Sequence, residues 1–217
     1  ILNAEKKSGK KLIVGFNYRW SPYSTKIKEL LASGTIGKIT SVDFNWYLNT
    51  YHGASYFRRW HGQKDKGGSL WVHKSTHHFD LVNWWLNSDP TEVFAYGALE
   101  HYGKNGPFRG KNCRSCDTVV NYSLTTYSPF EGWRIAFNGT KGRIEASLDI
   151  PYNEKVAVDQ AEMHAKEMEQ NALEEANSET IIVHKLWNDF ETVEVPTERG
   201  GHGGGDKRLH DKIFMTP

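Results

Sequence analysis

The sequence predicts an α+β fold, with a mostly antiparallel open sheet of five or six strands and helices on one face. Three observations carry this. Two helix patterns precede residue 90, and strand patterns follow almost without interruption. The strand patterns are joined by short turns such as Asn138-Gly139-Thr140-Lys141-Gly142, where glycine supplies the positive φ of a tight hairpin. The early helices carry a dense run of polar chemistry, His73-Lys74-Ser75-Thr76-His77-His78-Phe79-Asp80.

In chain order, Ala4 to Gly9 reads as the tail of a helix. Lys11 to Arg19 reads as a buried strand, because its continuous apolar run is the mark of a parallel sheet. Ser21 is an N-cap and Pro22 a first helical residue, so a helix is expected from Tyr23 to Ala32, stopping near Gly34. Lys38 to Leu48 alternates through Ile39, Val42, Phe44 and Trp46 and reads as a strand. Thr50 to Lys66 is a loop rich in Tyr, Trp, His, Arg and Gly, of a length that is often functional. One helix then carries the His run and ends near Asn87. Thr91 to Tyr102 is the next strand. Thr118 to Tyr127 and Trp133 to Asn138 are expected as consecutive antiparallel partners, followed by Arg143 to Leu148. Ala161 to Ala176 is a polar surface helix, and Glu179 to Lys185 with Phe190 to Pro196 a final hairpin. A glycine-rich stretch, Gly200 to Asp206, leads into a short helix. Both ends read as interior sequence, so a fragment of a longer protein is expected.

With 217 residues, 27 Lys+Arg against 26 Asp+Glu and a net charge of +1, the chain shows no basic block for nucleic acid. No apolar run approaches the roughly 20 residues that span a bilayer. The start is charged and lacks a signal-peptide core. The cytoplasm is the expected compartment, with the periplasm left open. Cys113 and Cys116 form a lone Cys-x-x-Cys, and a zinc ribbon needs a second pair.

In one continuous helix, His73, His77, Asp80 and Trp84 share a stripe and Lys74 and His78 the adjacent one. Imidazoles, an amine and a carboxylate in that density suit proton transfer or the gripping of polar ligands. A two-His-one-carboxylate metal site and a structural cluster are the alternatives. Lys74 in a closed pocket can have a lowered pKa and move protons. The glycine-rich loop is no dinucleotide fingerprint, since it lacks the βαβ context. It reads as a flexible loop presenting His202 to a ligand. Arg58-Arg59-Trp60-His61 sets a stacking ring beside cations.

The order of these motifs resembles the C-terminal part of Gfo/Idh/MocA oxidoreductases, the glucose–fructose oxidoreductase and inositol dehydrogenase family. The motifs run from Val14-Gly15-Phe16-Asn17-Tyr18-Arg19 through Gly34-Thr35-Ile36-Gly37, Arg59-Trp60-His61, Gly67-Gly68 and the His-rich helix to Gly139-Thr140-Lys141-Gly142. The resemblance implies an N-terminal Rossmann domain binding NAD or NADP, of which residues 1–20 are the last helix and strand. It implies that 21–217 are the substrate-binding and oligomerisation domain, with a homo-oligomer formed through the sheet face. The substrate class is a sugar, polyol or glycoside hydroxyl/carbonyl pair, with no nucleic-acid or membrane partner. No Gly-x-Gly-x-x-Gly is present, nor the Glu-Lys-Pro segment with the family's catalytic lysine, so this chain alone is expected to be inactive. By the same resemblance His77 is the acid/base, His73 stands where the family has Asp, and Lys74 shares the load. Arg19 and Trp60 fall near the cofactor, while Asn17, Tyr18, His61, His78, His202 and Asp206 complete the substrate site. A metal- or redox-assisted lyase or hydrolase, and a carbohydrate-binding domain, are the rival readings.

Overall fold

The computed structural model describes residues 1–49, 52–53, 55–56, 59–95, 123–128, 130–151, 178–196, 198 and 201–215. Its centre is a six-stranded sheet in the order β2-β1-β3-β4-β5-β6. The strands are β1 (Ile39–Asn49), β2 (Ser123–Ser128), β3 (Phe130–Gly139), β4 (Gly142–Pro151), β5 (Ser178–Lys185) and β6 (Phe190–Val193). Every pairing is antiparallel except β1 with β2. The helices are α1 (Leu2–Ser8), α2 (Pro22–Ala32), α3 (Lys64–Gly67), α4 (Ser69–His73), α5 (Ser75–Leu86) and α6 (Gly205–Phe214).

Strand alternation decides the two faces of the sheet. Phe44, Trp46 and Leu48 of β1, Trp133, Ile135 and Phe137 of β3, Ile144 and Ala146 of β4, and Ile181 and Val183 of β5 are buried together. They meet Tyr23, Ile27 and Leu31 of α2 and Leu81 and Trp85 of α5, each at the four-residue spacing that keeps one helix face apolar. The opposite face is polar, with Asp43, Asn45, Arg134, Glu145 and Asp149 lining a shallow groove. Arg134 pairs there with Asp149 at 3.0 Å.

The start of α2 is as the sequence indicates, with Ser24 N–H donating to Ser21 Oγ at 3.1 Å and Pro22 in the first turn. Trp85 Nε1 donates to the Ser24 carbonyl at 2.9 Å and ties α5 to α2. Lys28 Nζ donates to the Trp84 carbonyl at 2.5 Å, a basic group at the end of α5 where the helix dipole favours it. The last hairpin, β5 with β6, and the closing helix also form where expected.

Four elements differ from the sequence reading. Lys11 to Arg19 is not a strand: residues 10–16 are irregular, and Asn17–Trp20 is a 3₁₀ turn. Leu12, Ile13 and Val14 are exposed, and among the described residues no strand pairs with them, so an apolar run has no ladder to join. Strands β2 and β3 are not hairpin partners, because β1 lies between them and pairs with both. Residues 91–95 are not strand, with Val93 and Phe94 exposed; the rest of the expected strand to Tyr102 lies outside the described residues. The His-rich helix is broken at Lys74, whose φ of −111° separates α4 from α5. The expected helix from Ala161 to Ala176 also lies outside the described residues. Among the described residues, no helix is long and apolar enough to cross a membrane.

Candidate functional site

The break at Lys74 organises the site. Had α4 and α5 been continuous, His73 and His77 would share a stripe. The break turns them apart. His73 packs edge-on to Tyr56 and Trp60, at ring-centroid distances of 5.5 Å each. His77 packs edge-on to Tyr18 at 5.2 Å and Phe16 at 5.8 Å. Lys74 lies between the two groups.

The Lys74 side chain is buried, at 8% exposure, and its ammonium faces the rings of Trp46 (5.4 Å) and Tyr18 (5.6 Å). Its one hydrogen bond, to Tyr18 Oη, is long at 3.5 Å. Among the described residues no carboxylate lies within ion-pairing distance of it. Burial disfavours the charged amine, but Tyr18, Glu131 and Tyr56 outweigh it, so the Lys74 pKa is held above its ordinary value. This corrects the expectation of a lowered pKa: the surroundings of Lys74 favour its charged form. A cation over two aromatic faces is favourable, worth about 2 kcal/mol or more when desolvated.

That cation sets the imidazoles around it. Burial, then Lys74, then His202 pull His77 down to about 4, with Asp80 opposing. His77 is therefore neutral at physiological pH, and its Nδ1 has no hydrogen-bond partner among the described residues. A half-buried neutral imidazole whose buried Nδ1 is left unsatisfied is the kind of group that serves in proton transfer. His73 is also lowered, by burial, Lys74 and His52. His78 is pushed well below its ordinary value by near-complete burial and Lys74. It is not at the substrate side: at 0% exposure it stacks on Trp46 with centroids 4.0 Å apart, behind the site in the core.

On the His77 side, α6 and the glycine-rich loop bring in residues far away in sequence. Asn17 Nδ2 donates to Asp206 Oδ1 at 2.8 Å, and His202 Nδ1 lies 2.9 Å from Asp206 Oδ2. Tyr18 meets the His202 ring edge-on at 4.6 Å, and the His77 and His202 rings are 6.4 Å apart. The loop needs its glycines. A Cβ at Gly205 would lie 2.5 Å from the Asn17 carbonyl oxygen, and Gly204 has a φ of 83°. Thus Asn17, Tyr18, Lys74, His77, His202 and Asp206, all picked from the sequence, converge here.

On the His73 side, Tyr56 Oη and His73 Nδ1 are 3.1 Å apart. Burial pushes the Tyr56 phenol up to about 12, so it stays neutral. Glu131 accepts from the Asn49 backbone N–H and from His52 Nδ1, both at 2.9 Å, and His52 stacks beside Tyr56. The sequence reading missed Tyr56, His52 and Glu131. The first two sit in the loop it flagged, but Glu131 looked like a turn residue and carried no signal.

Arg19 makes a bidentate pair with Asp80 and lies over Trp84 and Phe16. Asp80 is thereby committed to Arg19. Among the described residues no three His, Cys, Asp or Glu side chains are grouped to hold a metal. Trp60, 51% exposed, offers an open ring face next to His73. The His61 side chain, Cys113 and Cys116 lie outside the described residues.

A sheet covered by helices on one face carries this imidazole and ammonium cluster. Residues 28–216 match the family described as "Oxidoreductase family, C-terminal alpha/beta domain", that of the Gfo/Idh/MocA proteins, and the chain belongs to it. It is similar to YteT of Bacillus subtilis (strain 168), named as an oxidoreductase, with 36% identity over 99% of this chain and 62% of that protein. In structure it resembles the aldose-aldose oxidoreductase of Caulobacter crescentus, with a TM-score of 0.58 and 14% identity, covering 98% of this chain and 56% of that one. It also resembles levoglucosan dehydrogenase in complex with NADH and levoglucosan, with a TM-score of 0.54 and 17% identity, covering 95% and 56%. These likenesses in structure show the shared fold. The chain spans 62% of the length of YteT.

Proposed function

We propose that this chain is the substrate-side domain of an NAD(P)-dependent oxidoreductase acting on a hydroxyl/carbonyl pair of a sugar, polyol or glycoside. Residues 1–20 then belong to a dinucleotide-binding domain, and 21–217 form the substrate and oligomerisation domain. A second copy would pack on the polar sheet face lined by Asp43, Asn45, Arg134 and Asp149. The single observation that carries the reading is the neutral, half-buried His77 imidazole with an unsatisfied Nδ1, set against the buried Lys74 cation and ringed by Tyr18 and His202.

Dehydrogenation of an alcohol needs a base for the hydroxyl proton and a hydride acceptor. The oxidised nicotinamide of NAD⁺ or NADP⁺ would supply the acceptor when bound; levoglucosan dehydrogenase, similar in fold, is described in complex with the reduced form, NADH. The residues of this chain fit that role at the edge of the site. Trp60 has an exposed ring for stacking, and Arg19 is a cation fixed in place by Asp80 beside Phe16. His77 takes the hydroxyl proton. Burial and then Lys74 keep His77 neutral, and the Lys74 charge stabilises oxyanion character as the hydroxyl loses its proton, an effect strengthened by low local dielectric. Tyr18 shields one flank from water.

The test is turnover of the full-length protein on a panel of sugars and polyols with NAD+ and with NADP+, followed by nicotinamide reduction. Oxidation of at least one substrate is expected, with the isolated 217-residue chain inactive. No reduction with any member of the panel would count against the reading.

A further inference from the structure

We propose that Asp206 is a positioning residue that, with Asn17, locks His202 in its Nδ1–H tautomer, leaving Nε2 to accept a second substrate hydroxyl beside His77. The ligand class follows: a polyhydroxylated ring or chain with two free hydroxyls on neighbouring carbons. The ligand assignment rests on the oxidoreductase reading above, whereas the tautomer assignment stands on geometry alone.

The argument runs through three side chains. Tyr18 N–H donates to Asn17 Oδ1 at 3.0 Å, which fixes the amide so that Nδ2, the donor end, faces Asp206 and His202. Asn17 Nδ2 then gives a hydrogen to Asp206 Oδ1 at 2.8 Å. His202 Nδ1 lies 2.9 Å from Asp206 Oδ2 and 3.0 Å from Asn17 Nδ2. One ring nitrogen cannot accept from the amide and donate to the carboxylate together. A carboxylate only accepts, so a bare Nδ1 lone pair at 2.9 Å from it would be repelled. Asn17 Nδ2 is also 3.5 Å from Nε2, which puts it over the ring and not in line with the Nδ1 lone pair. The one consistent assignment of the neutral ring has Nδ1–H donating to Asp206 and Nε2 carrying the lone pair.

The backbone is built for this placement. His202 has a φ of 55°, and it is followed by Gly203 and Gly204 at 61° and 83°. A left-handed non-glycine residue costs about 1 kcal/mol or more, and a glycine would remove the cost. Strain retained at a side chain that faces the site is the pattern of a used residue. At Gly201 a Cβ would lie 2.2 Å from Asp206 Oδ2, so glycine there is what lets the carboxylate reach the ring. The His77 and His202 rings have centroids 6.4 Å apart and both meet the Tyr18 ring edge-on, a separation that matches hydroxyls on neighbouring carbons, one to each ring.

The test is long-range ¹H–¹⁵N correlation of histidine rings in the labelled full-length protein, with His202 identified by its loss in His202→Gln. The native spectrum should show His202 protonated at Nδ1, against the Nε2–H form that neutral histidine prefers in water. Asp206→Ala should return the ring to Nε2–H, and Asp206→Asn, which keeps an acceptor oxygen, should hold Nδ1–H. A native Nε2–H ring, or a tautomer indifferent to Asp206→Ala, overturns the proposal; the native spectrum decides even if Asp206→Ala fails to fold. On whichever polyol the full-length protein oxidises, Asp206→Ala should lower kcat/KM about ten-fold, as for loss of one good hydrogen bond. On the analogue lacking the neighbouring hydroxyl it should have little effect, and equal losses on both would overturn the second-hydroxyl role. Absence of turnover with the Nδ1–H tautomer intact would instead overturn the oxidoreductase reading and leave the lock standing.

Discussion

The two flanks of Lys74 are built from different parts of the chain. The His73 flank is largely local: His52, Tyr56, Trp60 and His73 fall within about two dozen residues, and only Glu131 reaches in from a distant strand. The His77 flank is assembled across the fold, from Asn17 and Tyr18 near the start, His77 on α5, and His202 and Asp206 near the end. A flank of this second kind exists only when the fold is complete, so its geometry reports on the whole domain. Burial, and then the shared cation between them, lowers the pKa of His73 on one flank and of His77 on the other. Among the described residues, His77 combines that shift with an unsatisfied Nδ1 and contacts to groups brought from both ends of the chain.

If that contrast is functional, His77→Ala in the full-length protein should lower kcat by roughly 10²–10⁴-fold, the usual contribution of general acid–base catalysis. A fall of less than ten-fold in steady-state kinetics would move the chemistry to the other flank. Lys74→Met comes next. It should cost about ten-fold or more in kcat, for a charge-assisted contact worth roughly 1.5–3 kcal/mol. It should also raise the His77 pKa from about 4 toward 6.5, since Lys74 is one of the groups depressing it. Stability should fall by about 2 kcal/mol, because the cation–π contacts of a desolvated ammonium are lost. Thermal unfolding and histidine titration by NMR check both statements.

Gly205→Ala separates the long-range flank from the local one. Its Cβ would press on the Asn17 carbonyl, a backbone atom that cannot swing aside. A loss of roughly 1–3 kcal/mol of stability is expected, together with weakened substrate binding, while the His52–Glu131 pair keeps its geometry. Denaturant titration with KM measurement reads this out. Acid provides a further test. His77 and His78 are depressed in the folded state and titrate near 6.5 when unfolded. As pH falls through 6.5 the unfolded chain binds protons that the folded one refuses, so stability is lost between about 6.5 and 4. A His78→Gln variant should flatten the slope of Tm against pH; an unchanged slope would show that His78 is not buried neutral. The smallest effect is expected from Trp60→Ala, about 1 kcal/mol of aromatic packing, or roughly a five-fold rise in KM for cofactor or substrate without a change in kcat.

Much of this was legible along the chain because it is written in local periods. The β1 alternation, the Ser21-Pro22 helix start and the final hairpin depend on neighbours within a few residues. Site candidates were legible by their chemistry, and six of them meet in one place. What misled was pairing. Lys11 to Arg19 has the composition of a buried strand, yet among the described residues nothing pairs with it. Strands β2 and β3 are adjacent in sequence and separated in space by β1. His78 differs from His77 by one position, and only the rotation of α5 against Trp46 sends one to the core and the other to the site.

By itself, then, the sequence determined most of the elements, the one apolar face of the sheet and the residue types available for proton transfer, since these follow from short-range periodicity and side-chain chemistry. The tertiary structure alone decided the order of the strands, the break at Lys74 and the meeting of residues 17, 77, 202 and 206. Those depend on contacts between segments far apart in the chain, and on a buried charge whose effect exists only once water has been excluded around it.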